Sequence, residues 1–105
     1  MHIEVSTDNS IEGSEAFTNL IKGLVHHDLA HFEDHVTRVE VHLSDAGTSA
    51  SGQEEKHCMI EVRLKGQQPT VVKDAAATLE QATKGAAGKM KNLLESTIGK
   101  LSDRH

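Results

Sequence analysis

The sequence has very few of the residues on which disulfide-bonded or aromatic-rich domains are built. Its 105 residues include one cysteine, one proline, two phenylalanines and no tryptophan or tyrosine. A lone cysteine cannot form an internal disulfide, which fits a reducing compartment, and we expect a cytoplasmic protein. The scarcity of rings leaves valine, isoleucine, leucine, methionine and alanine to build the core.

Long hydrophobic runs are also missing. No stretch approaches the ~20 apolar residues that a membrane-spanning helix needs. Residues 1–5 alternate in polarity and lack the charged-then-apolar order of a secretion signal, so we expect no membrane partner. The length suits one domain, residues 1–105, with a single core.

Hydrophobic periodicity predicts elements in the order β-α-β-β-β-α. Apolar residues at three- and four-residue steps predict one helix over about residues 14–32 and another from about Asp74 onward. Alternation with a period of two predicts four strands, at residues 3–5, 37–43, 57–65 and 70–72. The polar, glycine-bearing segment at about 44–55 is predicted to be a flexible loop, and residues from about 102 to 105 a C-terminal tail.

These elements favour an α+β fold of two layers. The three later strands can form an antiparallel meander that the first strand joins, with both helices on one face of the four-stranded sheet. Cys58 falls on the inward side of its strand, so we expect a buried structural thiol. The sequence Gly-Ala-Ala-Gly at 85–88 predicts that another backbone packs closely against the second helix.

Charge is unevenly distributed along the chain. The net charge is −5, yet residues 63–105 carry eight lysines and arginines against four acidic residues. Residues 1–62 carry three against twelve. The basic C-terminal part favours an anionic partner.

Three stretches carry a resemblance to a known family. They are residues 31–43 (HFEDHVTRVEVHL), 58–66 (CMIEVRLKG) and 72–82 (VKDAAATLEQA). In this order they resemble the ribosome hibernation-promoting factors, a family that includes ribosome-associated inhibitor A and was once labelled sigma-54 modulation protein. The resemblance covers nearly the whole chain, and the chain is similar to the short form of the family.

The resemblance implies a fold similar to a double-stranded-RNA-binding domain with an extra first strand. It also implies binding to the small ribosomal subunit and its 16S rRNA, in the channel used by mRNA and tRNA, to silence translation under stress or in stationary phase. The sequence contains no phosphate-cradling, dinucleotide-binding, HExxH or paired-cysteine motif. We therefore expect no enzyme, no cofactor and no small-molecule substrate, and a monomer.

Basic residues are the candidate RNA contacts, because RNA-binding domains hold phosphates with lysine and arginine. The candidates are Lys22, Arg63, Lys65, Lys84, Lys89, Lys91 and Lys100. The alternative is an ordinary solvated helix face on which Glu80 and Lys84 form an i,i+4 ion pair. Because no aromatic ring is available to stack on bases, the chain would recognise the shape and backbone of folded rRNA.

Histidines and acidic residues leave further alternatives open. His27, His31 and His35 would share one side of a continuous helix, where His27 and His31 are weak candidates for metal ligands. Surface histidines, or a pH-dependent contact with RNA, are the other interpretations. The acidic first part also motivates a second function, a protein-interaction or stress-regulatory module of the same fold that has lost ribosome binding.

Overall fold

The computed structural model describes residues 1–8, 11, 13–48 and 50–102, which form four strands and two α-helices in the predicted order. The elements are β1 (His2–Thr7), α1 (Glu15–Leu29), a 3₁₀ helix (Ala30–His35), β2 (Val36–Thr48), β3 (Glu54–Leu64), β4 (Thr70–Ala76) and α2 (Leu79–Ser102). No helix in these ranges is long and apolar enough to cross a membrane.

The sheet has the strand order β1-β2-β3-β4. β1 lies parallel to β2, while the two later pairs are antiparallel. A parallel pair needs a crossover connection, and α1 with the 3₁₀ helix provides it. α1 packs against β1 and α2, and α2 packs against β3 and β4. The predicted two-layer α+β fold, with both helices on one face of the sheet, is confirmed.

The core lies between the two layers and is built almost entirely from aliphatic side chains. Alternate residues of β2 and β3 point inward, including Val39, Val41 and Ile60, each of which is fully buried. A bulge at Thr37 interrupts the alternation, so that Val36 is buried as well. The helices contribute Ile21, Val25, Leu29, Ala82, Ala86, Ala87, Met90 and Leu94. The side chain of Leu101 lies outside the described part of the chain.

The second helix begins at Leu79, whereas the sequence predicted a start near Asp74. The hydroxyl oxygen of Thr78 accepts a hydrogen bond from the backbone N–H of Gln81 at 3.1 Å. This satisfies one of the donors that the first turn leaves unpaired, so Thr78 caps the helix. Asp74 belongs to β4, which is longer than predicted and ends at Ala76.

The hairpin strands extend into the segment 44–55, which the sequence predicted as a loop. β2 continues to Thr48 and β3 begins at Glu54. An ion pair across the strands between Lys56 Nζ and Asp45 Oδ2, at 2.7 Å, holds this extension together. Of the predicted C-terminal tail, Ser102 is the last residue of α2, and residues 103–105 lie outside the described part.

The small residues at 85–88 accommodate a side chain and not the predicted second backbone. A Cβ atom placed on Gly85 would collide with Asp74 Oδ2. Ala86 and Ala87 are fully buried in the core, while a Cβ on Gly88 would have no neighbour within 4 Å. A side chain at position 85 would therefore have to displace the Asp74 carboxylate that packs there.

Candidate nucleic-acid interface

Lys84 and Lys91 lie on the same flank of α2. They are seven residues apart, which is two helical turns or about 10 Å, and both are exposed. The buried face of the helix, which includes Met90, fixes this orientation. The predicted pair between Glu80 and Lys84 does not form, and in the described part of the chain no carboxylate lies within ion-pairing distance of either lysine.

Two acidic residues bracket this flank. By the periodicity of the helix, Glu80 lies one turn before Lys84, and Glu95 lies one turn after Lys91. We call the surface formed by Glu80, Lys84, Lys91 and Glu95 the α2 flank. Its two ammonium groups thus have no ion-pair partner among the described residues, and the two nearby carboxylates balance their charge.

Lys89 lies on the other side of α2, towards β4. Its ammonium group donates to the backbone carbonyl of Lys73 at 3.1 Å and to Asp74 Oδ1 at 3.2 Å. The two contacts connect the helix to the edge strand of the sheet. Lys89, predicted as an RNA contact, is not brought together with Lys84 and Lys91.

Arg63 and Lys65 lie at the end of β3, away from α2. Arg63 is exposed on the sheet face opposite the helices, and its Nε is 3.7 Å from Glu61 Oε2. Lys65 follows the strand, and its backbone N–H donates to the carbonyl of His35 at 3.0 Å. The structure therefore separates Arg63 from the α2 flank by the thickness of the sheet.

Lys22 and Lys100 occupy two further positions. Lys22 lies on the side of α1 that borders β1, where it lines a shallow depression with Glu4, Ser6 and His42. Lys100 is exposed in the last turns of α2. The seven candidate residues therefore do not form one continuous cationic surface, and Lys84 and Lys91 are the pair that a single flank unites.

The outer face of the sheet carries two like-charged rows side by side. The register aligns His2, Arg38 and Arg63 in one row and Glu4, Glu40 and Glu61 in the next. Like charges opposite each other on neighbouring strands repel, and here each basic residue contacts an acid of the adjacent row. The shortest contact joins Arg38 to Glu4 at 2.6 Å, and the others are His2–Glu4, which is an ion pair only when His2 is protonated, Arg38–Glu40 and Arg63–Glu61. The two rows are thus paired with each other.

These pairs predict a loss of stability in acid. The hydrogen bond with Glu61, assisted by Arg38, lowers the pKa of Glu40 against the opposing effect of burial. The hydrogen bonds from Lys56 and the Gly47 backbone lower the pKa of Asp45. A carboxyl with a lowered folded pKa contributes stability above its unfolded pKa and loses it as pH falls through the folded pKa.

The urea midpoint should therefore stay level from neutral pH to about pH 5 and decline below about pH 4. Asp45→Asn should lower the midpoint at neutral pH and flatten the decline, because it removes one of the titrating pairs. Equal acid sensitivity in Asp45→Asn and the unaltered protein would contradict the assignment of Asp45.

The three evenly spaced histidines do not share a helix side. α1 ends at Leu29, so only His27 belongs to it, while His31 and His35 lie in the 3₁₀ helix, whose pitch differs. Across the described ranges, no group of three histidine, cysteine, aspartate or glutamate side chains could hold a metal ion. His31 instead makes an edge-to-face contact with Phe32, with ring centroids 5.4 Å apart.

The family model described as sigma 54 modulation protein / S30EA ribosomal protein matches residues 3–102. The chain belongs to this family. A comparison with curated proteins finds no significant match.

Two solved structures share the fold of this S30EA family member. A ribosomal subunit interface protein from Coxiella burnetii has a TM-score of 0.71 and 15% identity, covering 94% of this chain and 99% of that one. The Thermus thermophilus Protein Y N-terminal domain has a TM-score of 0.66 and 19% identity, covering 92% and 99% respectively. At such identities the likeness establishes the fold.

Cys58 of this family member is buried, as its strand position predicted. It is 1% exposed, and burial raises the pKa of its thiol to about 11. Because the thiolate is the reactive form, we expect a disulfide reagent at about pH 8 to label the native protein only through unfolding. The labelling rate should rise sharply in denaturing urea. Rapid, complete labelling of the native protein would contradict the buried position.

Proposed function

We propose that the chain binds the small ribosomal subunit through 16S rRNA and blocks its decoding channel under stress or in stationary phase. Membership of a family described as ribosomal supports this, as does the fold shared with a protein titled a ribosomal subunit interface protein. The inhibition would be steric, since a bound domain in the channel excludes mRNA and tRNA. The site of action would be the cytoplasm.

The α2 flank carries the proposal. Lys84 and Lys91 are exposed, about 10 Å apart, and unpaired within the described residues, so each can contact a backbone phosphate without first breaking an ion pair. Lys22, Lys65 and Lys100 can add weaker contacts at the margins of the bound surface. Lys89 and Arg63 are engaged with Asp74 and Glu61, so we assign them to the fold.

Co-sedimentation with purified small ribosomal subunits tests the proposal. On sucrose gradients at low salt, the protein should travel with the subunits and return to the top of the gradient as salt is raised, because phosphate contacts release counterions. Protein that stays at the top even at the lowest salt would reject ribosome binding. If small subunits are incubated with the protein before mRNA is added, initiation complexes should fail to form.

A protein-interaction module is the second candidate function. The observation that favours it is the balanced charge of the α2 flank, where Glu80 and Glu95 bracket the two lysines, together with the internally paired outer face. Pull-down from lysate treated with ribonuclease separates the two functions. A protein partner survives this treatment, whereas ribosomal RNA contacts are lost.

A further inference from the structure

The seven histidines within the described residues divide into two groups by the partners of their side chains. His2 contacts Glu4 at 3.2 Å, His57 contacts Glu55 at 3.3 Å, and Nδ1 of His42 lies 2.7 Å from the hydroxyl of Ser6. Four others, His26, His27, His31 and His35, are exposed, and their ring nitrogens have no hydrogen-bond or ion-pair partner among the described residues. Protonation of the second group therefore adds charge that no neighbour already neutralises.

These four residues, which we call the histidine segment, lie within ten positions at the end of α1 and in the 3₁₀ helix. Residues 26–35 contain three acids and no lysine or arginine, so their formal charge changes from −3 with neutral histidines to +1 with all four protonated. An imidazole ordinarily titrates near pH 6.5, within the range that cells visit. The segment therefore reverses the sign of its formal charge between the neutral and the fully protonated states of its four imidazoles.

The charged groups around the segment do not cancel this change. On its own elements, Glu33 is engaged by the amino terminus at 3.6 Å, which leaves Asp28 and Asp34 as the nearby carboxylates. Lys22 and His2 line the same depression as His26 beside β1. The elements packed against α1 and the 3₁₀ helix are β1, β2 and α2. Their charged residues include Glu4 on β1, Arg38 on β2, and Lys84, Lys91, Glu95 and Lys100 on α2. Of these, Glu4 and Arg38 are already paired with each other.

The segment also lies in the same layer as the α2 flank. α1 and α2 pack side by side on one face of the sheet. His26 borders β1, and His27 is turned about 100° further around α1, away from that border. A polyanion lying across the helix layer would therefore meet both Lys84 and Lys91 and the histidine segment.

We propose that the histidine segment makes binding of the RNA backbone dependent on protonation, so that affinity rises as the pH falls from about 8 to about 6. The proposal deepens the function proposed above and rests on it for the identity of the RNA. Phosphates favour the protonated imidazoles, and a bound phosphate that raises the pKa of a single imidazole by one unit strengthens binding about tenfold at low pH.

Fluorescence anisotropy with a short labelled RNA duplex, at constant ionic strength, measures this effect. The unaltered protein should bind about tenfold more tightly at about pH 6 than at about pH 8. The variant His26→Gln, His27→Gln, His31→Gln, His35→Gln should lose most of that increase while keeping its affinity at high pH. The matched control His2→Gln, His42→Gln, His57→Gln should keep the increase.

The outcomes separate this inference from the ribosome proposal. If the variant of the histidine segment and the matched control show the same pH response, the role of the histidine segment is overturned. Absence of duplex binding at both pH values would overturn it as well. Failure to co-sediment with small subunits at both pH values would overturn ribosome binding instead. Circular dichroism of each variant at both pH values confirms that the fold is retained.

Discussion

Replacing Lys84 and Lys91 together by glutamine is expected to weaken binding to small ribosomal subunits about thirtyfold, taking about 1 kcal/mol for each exposed contact with phosphate. Two phosphate contacts are lost, so the slope of log affinity against log salt should also fall by about 2. Both side chains are exposed and unpaired within the described residues, and their replacement should leave the free energy of unfolding within about 0.5 kcal/mol of its original value. Filter binding over a salt series gives both quantities.

The matched control removes two positive charges from the opposite side of the molecule. Arg63 and Lys73 are exposed on the outer face of the sheet, so Arg63→Gln, Lys73→Gln changes the net charge equally. If binding depends on the α2 flank, this control should change the affinity far less. Glu95→Gln should strengthen binding about twofold, by relieving about 0.5 kcal/mol of repulsion. Equal losses in the two double variants would show that only the overall charge matters.

Gly85→Ala is expected to destabilise the fold by about 1–3 kcal/mol, although alanine is ordinarily the better helix former. The added Cβ would collide with Oδ2 of Asp74 and lie 2.8 Å from its Cγ. The aspartate must move, and its movement breaks the contact with Lys89, which also bonds the carbonyl of Lys73. Urea denaturation followed by circular dichroism measures the loss.

Gly88→Ala is the matched control for this change. It lies three residues further along α2, and its Cβ would meet nothing within 4 Å. This variant should gain up to about 1 kcal/mol from helix propensity alone. In a double-mutant cycle, Asp74→Ala should remove most of the cost of Gly85→Ala, because the clash is between those two residues. An additive cycle would locate the cost elsewhere.

Much of the fold could be read from the sequence because the apolar pattern is regular. The alternation of Val39, Val41 and Leu43 with polar residues predicts the strand, the sheet face on which they lie and their burial. The predicted element boundaries were wrong where interactions of polar side chains determine where a helix begins or a strand ends. Thr78 starts α2 by capping it, and the ion pair between Asp45 and Lys56 prolongs the hairpin through a segment whose composition is typical of loops. Neither interaction leaves a periodic signal.

The sequence predicts which residues could contact RNA, but it does not predict which of them lie together on the surface. Helical spacing places Lys84 and Lys91 together and turns Lys89 away, but nothing in the sequence identifies Asp74 as the partner of Lys89. Asp74 resembles a helix cap in the sequence, and its strand position is set by the register with β3. The two charged rows likewise depend on the alignment of β1 with β2, which a one-residue shift would abolish.

The parallel pairing of β1 has a consequence for the order in which the domain assembles. β2 ends at Thr48 and β3 begins at Glu54, only six positions later, whereas Ser6 and His42, partners across β1 and β2, are 36 residues apart. Bringing distant segments together costs more chain entropy than closing a short hairpin. We therefore expect the central hairpin to form first and β1 to dock last, after the crossover helix has packed on the sheet. By the same reasoning, we expect β1 to be the strand that opens most readily in the native protein.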